Sequence, residues 1–247
     1  MTLPVPTRSS PSDDWSVRDI LQWTADRFGT RATFATGFGV EGCVLISFIG
    51  EARLPIDIFT LDTGLLFPET YELWRTLETR YDVRIRAVRP ELTVDEQERA
   101  YGAALWARDP DRCCELRKVA PLRAALHWFD AWVTAIRRDQ TLERAQAQIL
   151  EVDRKFGLVK INPLATWTRE DVWNHVRAHD VPYNPLHDAG YPSIGCQPCT
   201  TPVADGEDPR AGRWRGREKR ECGLHLVQVK RTTHNARPAT QNAQRTT

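Results

Sequence analysis

The chain has 247 residues, enough for one well-buried core, and its 34 Lys and Arg stand against 33 Asp and Glu, a formal net charge of +1. That balance excludes a global electrostatic case for a nucleic-acid or membrane surface. No apolar run approaches the roughly 18 residues needed to span a bilayer, and the Pro, Ser and Thr-rich residues 1–14 lack the apolar segment of a secretory signal, so a soluble cytoplasmic protein is expected.

Ser16 and Asp19 form a helix-capping signal, after which Val17, Ile20, Leu21 and Phe28 follow a helical stripe. Residues 31–36 have the pattern of a strand that runs into a glycine turn at 37–42 and then an apolar helix from Cys43. A second strand is expected at 55–61. Pro68 suits the first turn of a helix whose stripe is Tyr71, Trp74, Leu77 and Tyr81. Further strands are expected at 83–88, 131–136 and 158–161, and a helix at 168–179 with Thr168 and Asp171 as its capping box. From Pro182 onward the periodicity gives way to loops, and no internal repeat is present.

Alternating strands and helices predict an α/β fold with a doubly wound parallel sheet. The expected division is a disordered stretch at 1–14, an α/β domain at 15–200, a flexible loop-rich segment at 201–230 and a disordered tail at 231–247. Ligands of such sheets bind beyond the carboxyl ends of the strands. Three polar or glycine-rich segments fall there: Thr36, Gly37 and Gly39 after the first strand, Leu61, Asp62, Thr63 and Gly64 after the second, and Arg137 and Arg138 after the fourth. The first can turn backbone N–H groups toward an anion, although it is neither a dinucleotide fingerprint nor a Walker A loop, and an ordinary tight turn would look the same. Two adjacent arginines at a strand end call for an anion or an acid, and Asp139 is a ready local partner.

Six cysteines divide into three kinds. Cys43 lies in an apolar run and is expected to be a buried small hydrophobe. Cys113 and Cys114 are adjacent, and Cys196 and Cys199 form a C-x-x-C pair. A disulfide between neighbours is strained, so four such thiols suit a metal centre. The adjacent pair favours an iron–sulfur cluster, whose iron corners are separate, over a zinc ribbon built from two C-x-x-C knuckles. If the segment is helical, Lys118 lies one turn from Cys114 and would place its charge near an anionic cluster. Cys222 stands alone in Glu221-Cys222-Gly223-Leu224-His225, after a basic run containing Arg210, Arg213, Arg215, Arg217, Lys219 and Arg220. That run reads as a solvated basic segment, an RNA-binding patch or a flexible lid; the thiol beside it favours a lid that brings cations and a nucleophile to an anionic substrate.

Taken together these motifs resemble the assimilatory adenosine 5′-phosphosulfate (APS) reductases of the phosphoadenylyl-sulfate (PAPS) reductase superfamily. The resemblance rests on Leu61-Asp62-Thr63-Gly64, Phe67-Pro68-Glu69-Thr70, the two cysteine pairs with Arg117-Lys118, Arg137-Arg138-Asp139-Gln140 and the element around Cys222, in the family's order over residues 30–226. It implies an adenine-nucleotide alpha-hydrolase-like sheet, a [4Fe–4S] cluster on Cys113, Cys114, Cys196 and Cys199, and reduction of APS to sulfite and AMP by thioredoxin. It implies that Lys118, Arg210, Arg213 and His225 line the substrate and that Cys222 is the nucleophile. Because family members using PAPS mostly lack the cluster cysteines, it also favours APS. Gly42 and Leu65 depart from the family pattern, where an acidic residue and an arginine are common. No thioredoxin-like unit with its own C-x-x-C follows, so a separate thioredoxin is the expected donor. Neither nucleic acid nor membrane is an expected partner, and self-association into a homo-oligomer is compatible with all of this. The rival functions are PAPS reduction, a tRNA-thiolating iron–sulfur enzyme, for which residues 36–42 lack the ATP-pyrophosphatase loop, and a zinc-stabilised nucleic-acid module.

Overall fold

The computed structural model describes residues 10–219 and 221–224; the expected tail at 231–247 and His225 lie outside the described residues. Ser16 caps α1 (Val17–Phe28) by accepting the Asp19 N–H at 3.1 Å. The chain then forms β1 (Ala32–Thr36), α2 (Val40–Glu51), β2 (Asp57–Leu61), α3 (Pro68–Tyr81) and β3 (Ile85–Val88). Pro68 occupies the first turn of α3, where no intrahelical N–H bond is lost.

The stretch between β3 and the next strand, for which no element was expected, is helical: α4 (Val94–Tyr101), α5 (Leu105–Arg108), α6 (Pro110–Cys114) and α7 (Ala120–Leu126). Thr93 and Glu96 cap α4 reciprocally. Between α6 and α7 the residues Glu115–Val119 form a π-helical turn, so Arg117 and Lys118 sit in a widened stretch of helix directly after the adjacent cysteines. The chain closes with β4 (Ala131–Val133), β5 (Leu150–Asp153), β6 (Leu158–Ile161) and α8 (Arg169–His179), the last held by the Thr168–Asp171 capping box.

The sheet order is β3-β2-β1-β4-β6-β5. All neighbours are parallel except β5, which runs antiparallel to β6 in the register Leu150↔Ile161 to Asp153↔Leu158. The sheet is therefore doubly wound and mixed: β5 is an unforeseen edge strand, half polar and with Val152 47% exposed. The chain steps outward from β1 through β2 to β3, then returns to place β4 on the other side of β1. That reversal opens a crevice at the carboxyl ends of β1 and β4, where open α/β sheets bind ligands.

Two further boundaries differ from expectation. The second helix begins at Val40 rather than Cys43, with Gly39 as its cap, and so includes Gly42, where a Cβ would meet Thr36 Oγ1 at 2.7 Å and only glycine fits. The regular pairing of β4 ends at Val133, although Thr134 still donates its N–H to Ile161 at 2.8 Å. Phe34, Leu45, Ile46, Val133 and Ile161 are fully buried at the centre of the main core, and Cys43 is buried with them. Burial pushes the Cys43 thiol well above its ordinary range, which keeps it an inert apolar group.

Candidate active site

The loop after β1 is anchored from below. Phe38 takes a left-handed backbone (φ +57°) with its ring buried against Trp74 at 5.6 Å between centroids, and its N–H donates to Thr36 Oγ1 at 3.1 Å. Burial of the ring holds a conformation that costs a non-glycine residue about 1–3 kcal/mol. Gly37 and Gly39 flank it and line the crevice with backbone. Glu41, in the first turn of α2, pairs with Arg137 and accepts from Gln140 Nε2 at 3.0 Å, tying the end of β1 to the end of β4.

Two adjoining clefts occupy the switch point. One, of about 340 Å³, is cationic: Arg137, Arg144, Arg169, Arg210 and Arg213 all reach it. The other, of about 200 Å³, is mostly apolar, walled by Ala35, Leu61, Leu122, Trp132 and Leu224, with Lys118 at its edge. Gly37, Ile194, Arg213 and Cys222 belong to both. A ligand with an apolar body and an anionic head would span them, with its head beside Cys222.

Of the four paired cysteines, Cys196 lines the apolar cleft. Cys113 and Cys114 are buried on α6; Cys196 and Cys199 flank the 3₁₀ turn Gln197–Cys199. All are free thiols. Backbone bonds sew the second pair to the loop after β2: the Gln197 N–H donates to Leu65 O at 2.7 Å, and Thr63 Oγ1 lies 3.3 Å from Cys196 Sγ. Gln97 Nε2 approaches Cys113 Sγ at 4.0 Å. Among the described residues no three His, Cys, Asp or Glu side chains stand at metal-binding spacing. The chemistry of the donor set nevertheless fits a thiolate-bound group, because cations are buried among the sulfurs. Burial works against the Lys118 ammonium, yet the neighbouring sulfurs of Cys196, Cys222 and Cys114 hold its pKa above the ordinary value. Burial opposes the Cys196 thiolate too, and Lys118, the Thr63 hydroxyl and Arg213 outweigh it to draw its pKa down. Cys114 is pushed up to about 11 by burial, against the pull of Lys118 and Lys219.

Arg213 ties the basic segment to the cysteine loop. Its Nη1 donates to Ile194 O at 3.3 Å, its guanidinium packs on Gly195, and its Nε finds no partner among the described residues. Trp214 donates its N–H to Cys199 O at 3.0 Å and lies between two cations, Arg213 at 4.7 Å and Lys219 at 5.2 Å.

Of the expected site residues, Thr36, Gly37, Gly39, Leu61, Thr63, Lys118, Arg137, Arg210, Arg213 and Cys222 converge on the two clefts. Arg138 does not: alternation along the extended chain after β4 sends it to the opposite side, where it binds Asp13 at 2.7 and 2.8 Å. Asp62 is consumed by Tyr71 at 2.7 Å and Arg89 at 3.0 Å and shapes its loop from behind. Gly64 supplies a positive φ (+68°) where that loop turns beside Arg117, which donates to Thr63 O. The sequence did not single out Glu41, Arg144 or Glu221. Each is an ordinary charged residue locally, and only its partner, distant in sequence, gives it significance.

Residues 31–202 match the model of the phosphoadenosine phosphosulfate reductase domain. The chain belongs to this family. A relative from Geobacillus kaustophilus, an adenosine 5′-phosphosulfate reductase, is 46% identical over 89% of this chain and 94% of its own length. One from Salinibacter ruber with the same name is 50% identical over 83% of this chain and 82% of the relative. Among solved structures, the phosphoadenylyl-sulfate reductase of Candida auris, a phosphate complex, superposes with a TM-score of 0.69 at 30% identity, covering 76% of this chain and 91% of that one. The reductase fold is thus the adenine-nucleotide alpha-hydrolase-like sheet. Within the described residues no helix of this family member is long and apolar enough to cross a membrane.

Proposed function

We propose that this chain reduces APS to sulfite and AMP with electrons from thioredoxin, through an S-sulfonated Cys222. The observation that carries the assignment is the position of Cys222, shared by an apolar and a cationic cleft with Lys118 and Arg213 in its electrostatic field. The names of the curated relatives support APS as the substrate.

The adenosine occupies the apolar cleft and the phosphosulfate the cationic one. Arginine forks neutralise the oxygens that shield the sulfur, binding them in pairs. The Cys222 thiolate attacks that sulfur; the S–O bond to the phosphate breaks and its electron pair leaves with AMP. The product is Cys222–S–SO₃⁻. A thioredoxin thiolate then attacks Cys222 Sγ, forms a mixed disulfide and expels sulfite; its second thiol resolves the disulfide and restores Cys222. The dithiol supplies both electrons. The first step needs Cys222 enclosed and the second needs it open to a protein, so the segment carrying it has to move. His225 we place beside the substrate on the motif alone.

Cys113, Cys114, Cys196 and Cys199 we assign as ligands of a [4Fe–4S] cluster. When bound, it supplies negative charge beside Lys118 and joins the Cys196–Cys199 loop to α6. Anaerobic purification followed by sulfite release from APS and from PAPS, each with thioredoxin, tests the assignment. Efficient turnover of APS is expected; a higher kcat/KM with PAPS overturns the substrate, and a colourless protein overturns the cluster.

A further inference from the structure

Glu221 precedes Cys222, and its carboxylate is almost fully enclosed, with 9% of the side chain exposed. It is held by two arginines of the cationic cleft. Arg144 Nη2 donates to both of its oxygens at 3.0 and 3.1 Å, and Arg210 Nη2 lies 3.2 Å from Oε2. The rest of the terminal segment closes with it: Leu224 packs on the cluster containing Leu122 and Trp132, and Lys155 Nζ donates to Gly223 O. A carboxylate, a phosphate and a sulfate offer a guanidinium the same paired oxygens, and one fork cannot serve two of them at once.

We infer that Glu221 is an internal stand-in for the anionic head of the substrate. Without ligand it fills the Arg144–Arg210 clamp and latches Cys222 inside; the phosphosulfate evicts it to bind. The inference rests on the assignment of that cleft to the phosphosulfate. Its chemical logic is that two half-buried guanidinium groups brought to one point would repel each other, and a tethered carboxylate removes that cost until substrate arrives. Glu221 is therefore a positioning residue that sets substrate affinity and thiol exposure rather than a participant in bond making.

The test uses the anaerobically purified full chain as parent, Glu221→Gln and Lys155→Met. Two quantities are measured: the rate of Cys222 alkylation by iodoacetamide without ligand, read on the Cys222 peptide by mass spectrometry, and the dissociation constants of APS and AMP by calorimetry. Removing the charge should speed alkylation roughly ten-fold and tighten APS about five-fold, because an occupied clamp lowers apparent affinity by its occupied fraction. Lys155→Met loosens the same segment without touching the arginines, so it should speed alkylation and, by lowering the clamp's occupancy, tighten APS no more than Glu221→Gln does. Unchanged or weaker APS binding in Glu221→Gln overturns the competition, and an unchanged alkylation rate overturns the latch. If APS binds neither protein, the substrate assignment falls instead, and the alkylation rates alone still decide whether Glu221 latches the thiol.

Discussion

The sheet body and the segment at 201–224 are held together by opposite means. The body is organised around side chains that water does not reach, Phe34, Leu45 and Ile161 among them, with strands in continuous register. Among its described residues the segment contributes no helix and only the isolated bridge Thr200↔Arg213. Beyond the buried Trp214 and the contact of Leu224, it is fastened by ion pairs: Arg215 with Glu207 at 2.9 Å, Lys219 with Asp111, and Glu221 with Arg144 and Arg210. Apolar burial has no substitute in water, whereas an ion pair exchanges readily with salt, water or an anionic ligand. The proposed chemistry needs one thiol enclosed and then presented, and it is carried on the exchangeable part.

Changes to the two regions should separate chemistry from stability. Cys222→Ser should lower sulfite formation by a factor of about 10³ or more, since a hydroxyl is far too weak an acid to replace the thiolate, while thermal unfolding stays that of the parent. Sulfite release by a folded serine variant would remove Cys222 from its role. Phe34→Ala, in the body, should do the reverse and cost about 3–5 kcal/mol in denaturant unfolding by emptying a closed core site. A loss under about 1 kcal/mol would mean that the core relaxes around the gap.

Arg213→Ala should weaken APS binding by one to two decades, the equivalent of roughly 1.5–3 kcal/mol for a lost charge-assisted hydrogen bond, with the unfolding midpoint little changed. Parental affinity would make the basic run a solvated surface after all. A pH effect of about 1 kcal/mol is expected on the body, well below the full shift because the responsible ring is only partly enclosed. Burial, aided by nearby His179, lowers the His175 pKa from its ordinary 6.5 to about 4, where the ring stacks on Phe48. The unfolded chain then binds a proton between those values that the folded chain does not, so stability falls as pH drops from 6.5 toward 4. His175→Gln should flatten that slope; an unchanged slope assigns it to other groups. The smallest expected effect is that of salt. Raising ionic strength to about 0.5 M should speed trypsin cleavage after Arg215 and Arg217 a few-fold while leaving the body's unfolding midpoint in place.

The sequence by itself determined whatever has a local physical cause. Alternation marked β3, and short apolar runs marked β1, β2, β4 and β6, because a strand buried in a sheet needs apolar side chains at short spacing. Ser16, Thr168 with Asp171, and Pro68 marked helix starts because capping is satisfied within four residues. The cysteine pairs and the thiol at Cys222 were legible because their chemistry is rare wherever it occurs. Only tertiary structure decided the rest. Leu150-Glu-Val-Asp153 becomes a strand solely because β6 offers it an edge. Arg137 and Arg138 are indistinguishable in sequence, and the side of the chain each leaves from makes one line the cleft and the other hold Asp13. Glu41, Arg144 and Glu221 acquire meaning from partners 96 and 77 residues away. Capping and alternation act over a few residues of chain and can be read from them, whereas charge pairing acts through space, and which charges meet is known only once the chain has folded.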